Sequence, residues 1–268
     1  MRKIFLVLGC MILGWVGGPA TESPAQGELP SVQEIIDRSN LASYYQGKDG
    51  RATVNMTITD AQSRTRERRF TILRRDDKDG GKQKFYVHFS RPSDVRNMVF
   101  MVWKNIGAND DRWLYLPALD LVKRIAASDK RTSFVGSHFF YEDVSGRNPE
   151  DDTHELTDTT GQHYVLKNTP KDTGEVEFAY YTLWIDKKSY LPMKAEYYDK
   201  NEKKYRLVEA LEVQTIQGHP TVTKAKVTDL KSGGHTVSVF SNIQYDLGID
   251  DSIFTERYLR RAPRRWLK

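Results

Sequence analysis

Cysteine is almost absent from this chain. The single one, Cys10, sits in an N-terminal apolar stretch. The remainder therefore has no disulfide, no thiolate nucleophile and no cysteine metal ligand. Long apolar runs are equally scarce. Ile4 to Val16 is broken by Gly9 and Gly14 and falls short of the ~20 residues a membrane span needs. The six histidines never pair at the i, i+4 spacing of a zinc-protease helix. His154 and His163 could meet across a hairpin, but no further ligand supports them. A Gly-x-Ser-x-Gly elbow, a P-loop and a dinucleotide-binding glycine pattern are all missing. Gly136-Ser137-His138 sets a serine beside a histidine, yet adjacent residues do not form an ordered nucleophile–base pair. Asp110-Asp111, Asp129 and Glu142-Asp143 fall in one region, where turn and cap roles account for them. These absences predict a protein that is not an enzyme and that uses no cofactor and no metal.

An excess of charge of either sign is also lacking. The chain carries 41 basic and 36 acidic residues. Removing residues 1–25 takes away Arg2, Lys3 and Glu22 and leaves a net charge of +4, too little to signal nucleic-acid binding. Only the end stands out. Arg257, Arg260, Arg261, Arg264, Arg265 and Lys268 cluster around Tyr258, Leu259, Trp266 and Leu267. Such an end is either a solvated terminus or a contact for anionic headgroups or an acidic partner.

The N-terminus has the pattern of a secretory signal peptide. Arg2 and Lys3 precede the apolar stretch, and Ser23-Pro24-Ala25 places small residues before a cut at Gln26. Gly18-Pro19-Ala20 offers a second cut. The expected division is a signal peptide over 1–25 and one domain over 26–268. A secreted chain without disulfides fits a bacterial periplasm in a Gram-negative-type envelope.

What the chain does have is β-strand chemistry. Its 268 residues suit one large β-sandwich or barrel. Its 14 Tyr, 11 Phe and 5 Trp suit strands and apolar pockets. Residues 20–30 read as a flexible lead-in. Ser31-Val32-Gln33-Glu34 is a capping box, with Val32, Ile35, Ile36 and then Leu41 on one face, so a helix is predicted over 32–43. Ala52, Val54, Met56 and Ile58 alternate with polar residues, and Arg66 to Arg74 alternates again. Asp76 to Gly81 is a turn, Phe85, Val87 and Phe89 mark a strand, and Arg91-Pro92-Ser93-Asp94 breaks it. Met98 to Trp103 and Trp113 to Leu116 are apolar on both faces, which predicts cover on both sides. Residues 118–150 read as a long loop or short helices. Strands are predicted at 162–168, 176–186, 191–199, 204–216, 221–230 and 235–245, with a short closing segment at 249–259. Short turns between successive strands predict an antiparallel meander, mainly β. It must close on itself or be covered, and the mid-chain insert is a natural cover.

The stretch from Asp111 to Arg147 joins apolar bulk to fixed charge. Trp113, Tyr115, Phe134, Phe139, Phe140 and Tyr141 stand among Arg112, Lys123, Arg124, Ser128 and Asp143. The aromatics are either plain core, or the wall and lid of an apolar cavity. Such a cavity with a few charges at its mouth suits an acyl chain with a headgroup.

Asp111-Arg112-Trp113-Leu114-Tyr115-Leu116-Pro117-Ala118-Leu119, Val122-Lys123-Arg124-Ile125, Phe134-Val135-Gly136-Ser137 and Tyr141-Glu142-Asp143 resemble the bacterial outer membrane lipoprotein-sorting family, the LolA-like group related to LolA and LolB. Leu183-Trp184-Ile185-Asp186, Leu191-Pro192, Tyr197-Tyr198-Asp199 and the Phe254-Thr255 to Tyr258-Leu259 ending also look like that family. The resemblance implies an antiparallel open half-barrel with a few covering helices as a lid over a hydrophobic cavity. It implies carriage of lipid or lipoprotein acyl chains across the periplasm toward the outer membrane. Some members are encoded beside inner-membrane exporters of the RND type, which suggests a partner.

The expected cavity and lid residues are Trp103, Trp113, Tyr115, Phe134, Phe139, Phe140, Tyr141 and Trp184, with Arg112, Lys123 and Arg124 at a polar mouth. The insert 118–150 and the helix 32–43 are the lid candidates. Two other readings compete. An accessory module would dock to an exporter or envelope complex through its surface, with transient membrane contact through the basic end. A lipid hydrolase would need Ser137 and His138 or His163 to meet inside the cavity.

Overall fold

The computed structural model describes residues 29–268. The expected signal peptide over 1–25 and the lead-in up to 28 lie outside those residues. Ser31 caps the first helix, α1 (Val32–Tyr44), by accepting a hydrogen bond from the Glu34 amide at 3.1 Å. The return half of the expected capping box is not made; the Glu34 carboxylate takes Arg38 at 3.2 Å instead. Ile35, Ile36 and Ser39 form the buried face. Leu41, expected on that face, is exposed, because Ser39 and the half-buried Ala42 complete the stripe. The helix ends at Tyr44, and its cap residue Tyr45 ties that end down by donating its hydroxyl to the Gly81 carbonyl at 2.7 Å.

The strands come in two runs. The first holds β1 (Asp49–Thr59), β2 (Thr65–Asp76), β3 (Gln83–Arg91), β4 (Val99–Lys104), β5 (Asp111–Leu116) and β6 (Leu121–Ile125). An insert comes next, with a short helix α2 (Tyr141–Ser145). The second run holds β7 (Asp152–Thr159), β8 (His163–Pro170), β9 (Phe178–Asp186), β10 (Pro192–Asp199), β11 (Lys204–Ile216), β12 (His219–Asp229) and β13 (His235–Tyr245). A last helix, α3 (Glu256–Arg260), closes the chain. Two strands depart from expectation. β6 falls in the stretch read as loop or helix, because Asp120 at φ 44° turns the chain straight back onto β5. β7 has mostly polar, exposed positions, so hydrophobic alternation does not reveal it.

Every pairing is antiparallel, and the thirteen strands form one sheet in the order β6-β5-β4-β3-β2-β1-β13-β12-β11-β10-β9-β8-β7. The first and last strands meet at the centre of the sheet. β6 and β7 are left as its two edges, so the sheet is open. The insert 126–151 runs from one edge to the other.

Antiparallel pairing puts directly opposite residues on one face. Ala52, Ile72, Val87, Phe100 and Leu114 align across β1 to β5 and define an inner face. In the first run this face is filled. Phe134 from the insert plugs it, against the rings of Phe70, Phe89, Phe100 and Tyr141 at 5.5–6.2 Å. The outer face of the same strands is covered by residues 247–267. Leu73, Tyr86, Met101 and Trp113 pack there against Ile249, Phe254 and Leu259. This two-sided cover is why β4 is apolar on both faces. In the second run α1 lies on the inner face, with Ile35 and Ile36 against Tyr164, Leu166 and Ile185. No described helix is long and apolar enough to cross a membrane.

Candidate functional site

Side-chain size along the inner face decides where the molecule is hollow. Facing the insert, the first run presents phenylalanines. Beyond β1 the inner positions shrink to Ala52, Ala225, Ala210 and Ala195, on β1, β12, β11 and β10. Ala210 and Ala225 are directly paired. These small side chains cannot reach α1 and α2 above them. Two adjoining lobes of about 300 and 340 Å³ remain. They share Ser43, Tyr44, Asp143, Pro192, Val222 and Ala225. One lobe extends toward Phe139, Tyr181, Leu183 and Tyr197; the other extends toward Ile72, Phe85, Phe240 and Ile243. Counting a methylene as about the ~30 Å³ of a liquid water, each lobe holds on the order of ten such groups.

The roof over the lobes is polar in construction. α2 carries Glu142 and Asp143, and the insert and sheet send arginines to both. Arg131 donates to Glu142 at 2.6 Å, and Arg147 approaches its other oxygen at 3.5 Å. Arg206, from β11 and 2% exposed, donates to Asp143 at 2.5 Å. Its guanidinium lies over the Phe140 ring at 4.3 Å and the Tyr197 ring at 5.1 Å. Arg131 also forks onto Glu177 at 2.7 and 2.8 Å. Arg147 forks onto Asp152, which takes the Tyr181 hydroxyl as well. The end of α2 is held by Lys104, whose Nζ donates to the Gly146 carbonyl at 2.7 Å. Gly146 has φ +76°, and any Cβ there would collide with the Tyr44 ring. Glycine at this one position thus lets α1 and α2 touch.

The electrostatics derive from this arrangement. Burial alone would raise the Glu142 carboxyl, but Arg131 and Arg147 outweigh it and hold the group below its ordinary value. Burial acts the same way on Glu177, where the Arg131 fork and the Tyr205 hydroxyl prevail and bring it down to about 2. The Tyr44 hydroxyl is pushed up by burial and then by the Asp143 charge. The roof is therefore a set of ionised, mutually bonded groups above an apolar floor.

The aromatic sequence candidates divide among five places. Phe139 lines a lobe. Phe134 and Tyr141 are core between insert and sheet. Phe140 stacks beneath Arg131 and Arg206 on the far side of the roof. Trp103, Trp113 and Tyr115 point to the outer face under the C-terminal segment, where Trp103 donates to the Phe254 carbonyl at 2.9 Å. Trp184 pairs across with Lys194 on the outer side of β9, and the Lys194 ammonium sits 3.5 Å above its ring. The three polar candidates do not converge either. Arg112 is buried against Asp110 at 2.7 Å, Lys123 is exposed on the edge strand β6, and Arg124 bonds Asp111. The residues that line the cavity include Tyr44 and the alanines, while Arg206 holds the roof through Asp143. The alanines are legible in principle, as small residues at inner positions of long alternating strands.

Ser137 and His138 do not meet as a nucleophile and base. The Ser137 hydroxyl accepts from the Phe139 amide at 3.2 Å, while the His138 ring bonds Thr236 at 2.8 Å. Among the described residues there is no cluster of three or more His, Cys, Asp or Glu able to hold a metal ion.

Comparison with known proteins places this geometry. A family model described as an uncharacterized protein matches residues 81–261. A DUF1329 family protein from Desulfovibrio piger is 28% identical with a TM-score of 0.77, covering 85% of this chain and 98% of that one. An outer membrane lipoprotein-sorting protein domain assigned in Vibrio parahaemolyticus is 28% identical with a TM-score of 0.74, covering 85% of this chain and 96% of that one. A LolA superfamily protein from Nitrosomonas europaea shares the fold at 20% identity, with a TM-score of 0.67 and coverage of 86% and 100%. No curated protein matches. The chain belongs to the family of that model, and its structure matches those of the LolA superfamily and of outer membrane lipoprotein-sorting domains. Its fold is that of the LolA superfamily.

Proposed function

We infer that this protein is a non-enzymatic periplasmic carrier that holds lipid, or the acyl chains of lipoproteins, for transport toward the outer membrane. The observation that carries the reading is the pair of apolar lobes beneath an ion-paired roof. An exposed methylene in water costs ~0.8 kcal/mol, so a long chain gains several kcal/mol by entering. Release requires that the loaded and empty states lie close in energy. A roof held by ion pairs supports this, because its charges regain hydration on opening, whereas an apolar roof would lose its packing and gain nothing.

The secretory pattern at residues 1–25 supports a periplasmic location. The basic end supports transient contact with a membrane. Arg257, Arg261, Arg264 and Arg265 are exposed while Leu259 and Pro263 anchor the backbone between them. The same surface would serve the second reading, an accessory module that docks to an RND-type exporter. Native mass spectrometry of protein taken from a bacterial periplasm without detergent, followed by lipid extraction, separates the two. Near-stoichiometric phospholipid, acyl chain or acylated peptide is expected. Empty protein that also refuses an acyl probe would leave only the docking module.

A further inference from the structure

One pairing in the sheet is unfavourable as it stands. Arg69 on β2 lies directly opposite Arg91 on β3. Like charges directly opposite in an antiparallel pair repel. Among the described residues neither has an acidic partner, and neither does the neighbouring Arg96. These three arginines line one cleft of about 570 Å³ together with Arg68, Ser90 and Ser93. Arg68 is 9% exposed, and its Nε has no hydrogen-bond partner. One of its terminal nitrogens reaches Asp94 at 3.3 Å and the other donates to the Glu67 carbonyl at 3.0 Å. Glu67 also borders the cleft. The cations still exceed the acids. On β1 the cleft borders Asn55, Met56 and Thr57, whereas the apolar lobes border Gly50, Arg51 and Ala52. The cleft is a second, separate place on the molecule.

We propose that this cleft binds a phosphoryl group, either free phosphate or the headgroup of a phospholipid. Several forked guanidinium groups around one cleft match a tetrahedral oxyanion, since each offers two parallel N–H donors. A bound dianion would turn the Arg69–Arg91 repulsion into a bridge. The site does not depend on what the apolar lobes carry.

The test uses the secreted full chain and an Arg69→Gln/Arg91→Gln variant. Thermal melting is followed with sodium phosphate and with sodium chloride at matched ionic strength, and phosphate binding is titrated by calorimetry. Phosphate should raise the wild-type Tm beyond chloride, and the variant should bind it at least tenfold more weakly. Without phosphate the variant should melt no lower than wild type, because it has lost the repulsion; this also certifies its fold. Vesicles of phosphatidylglycerol in phosphatidylcholine then locate the source. Wild-type co-sedimentation that is lost in the variant, and competed by phosphate, assigns a headgroup. Phosphate binding without sedimentation assigns the free ion. Wild type that responds to neither probe, or a variant that binds as well as wild type, overturns the proposal.

Discussion

If the alanines on the inner face create the cavity, filling one should expel the ligand in proportion to the carbon added. Ala225 is the site of choice, because it borders both lobes and faces Ala210 and Ser238 across the sheet. Ala225→Leu takes the room of about three methylenes and Ala225→Phe of about four. At ~0.8 kcal/mol per methylene displaced, acyl-probe binding should weaken by ~2.4 and ~3.2 kcal/mol. Those losses correspond to about 50-fold and about 200-fold in Kd. Stability should move the other way or not at all, since the added carbon enters a void and gains contacts. The assay is fluorescence titration of a long-chain fatty-acid probe, with thermal melting of the same samples. A folded Ala225→Phe variant that binds the probe as tightly as wild type would refute the placement of the ligand. Equal loss in both variants would mean that damage, not volume, is being measured.

Three further outcomes are expected. Trp113→Phe should leave probe affinity within about twofold of wild type, because Trp113 packs under the C-terminal segment on the other face; a large loss would put the ligand on that face instead. Phe134→Ala should cost ~3–5 kcal/mol and lower Tm by roughly 10 °C, since four aromatic rings surround it; a drop of only a degree or two would show that the insert is not a structural plug. Glu177 titrates at about 2 in the fold against 4.5 ordinarily. Its native form therefore binds fewer protons than the unfolded one between those values. The stability it contributes is complete above its ordinary value and is lost as the pH falls toward about 2. Glu177→Gln should flatten the decline of Tm between about pH 5 and about pH 3, and an unchanged slope would exclude the Arg131 fork as its cause.

The strands are largely readable because one alternating face is buried throughout, and period-two burial leaves a period-two sequence. The exceptions have physical causes. β7 is an edge whose positions are mostly polar, and β6 is a five-residue edge whose direction depends on a left-handed Asp120. The candidate site is less readable, because aromatic residues mark burial and not emptiness. Trp103, Trp113 and Tyr115 stand out for bulk, and bulk is what the outer face needs beneath residues 247–267. A cavity is marked by the reverse, small residues where the pattern calls for large ones. Ala210 and Ala225 acquire that meaning only when the register pairs them, with Ala195 opposite Val208, two residues along β11 from Ala210.

The roof is the least legible part, since its partners are far apart in the chain: Arg206 and Asp143 are 63 residues apart. Their chemistry nonetheless fits the floor below. Replacing buried ion pairs with apolar residues often stabilises a protein, so a roof built of them is not chosen for rigidity. Breaking one partner costs ~3–5 kcal/mol in the closed state, where the other charge stays buried. Opening the roof as a unit sends all of the charges into water together and avoids that cost. An ion-paired roof over an apolar floor therefore resists partial loosening while permitting a concerted opening, which is the behaviour a cavity needs if it must both keep and surrender an acyl chain.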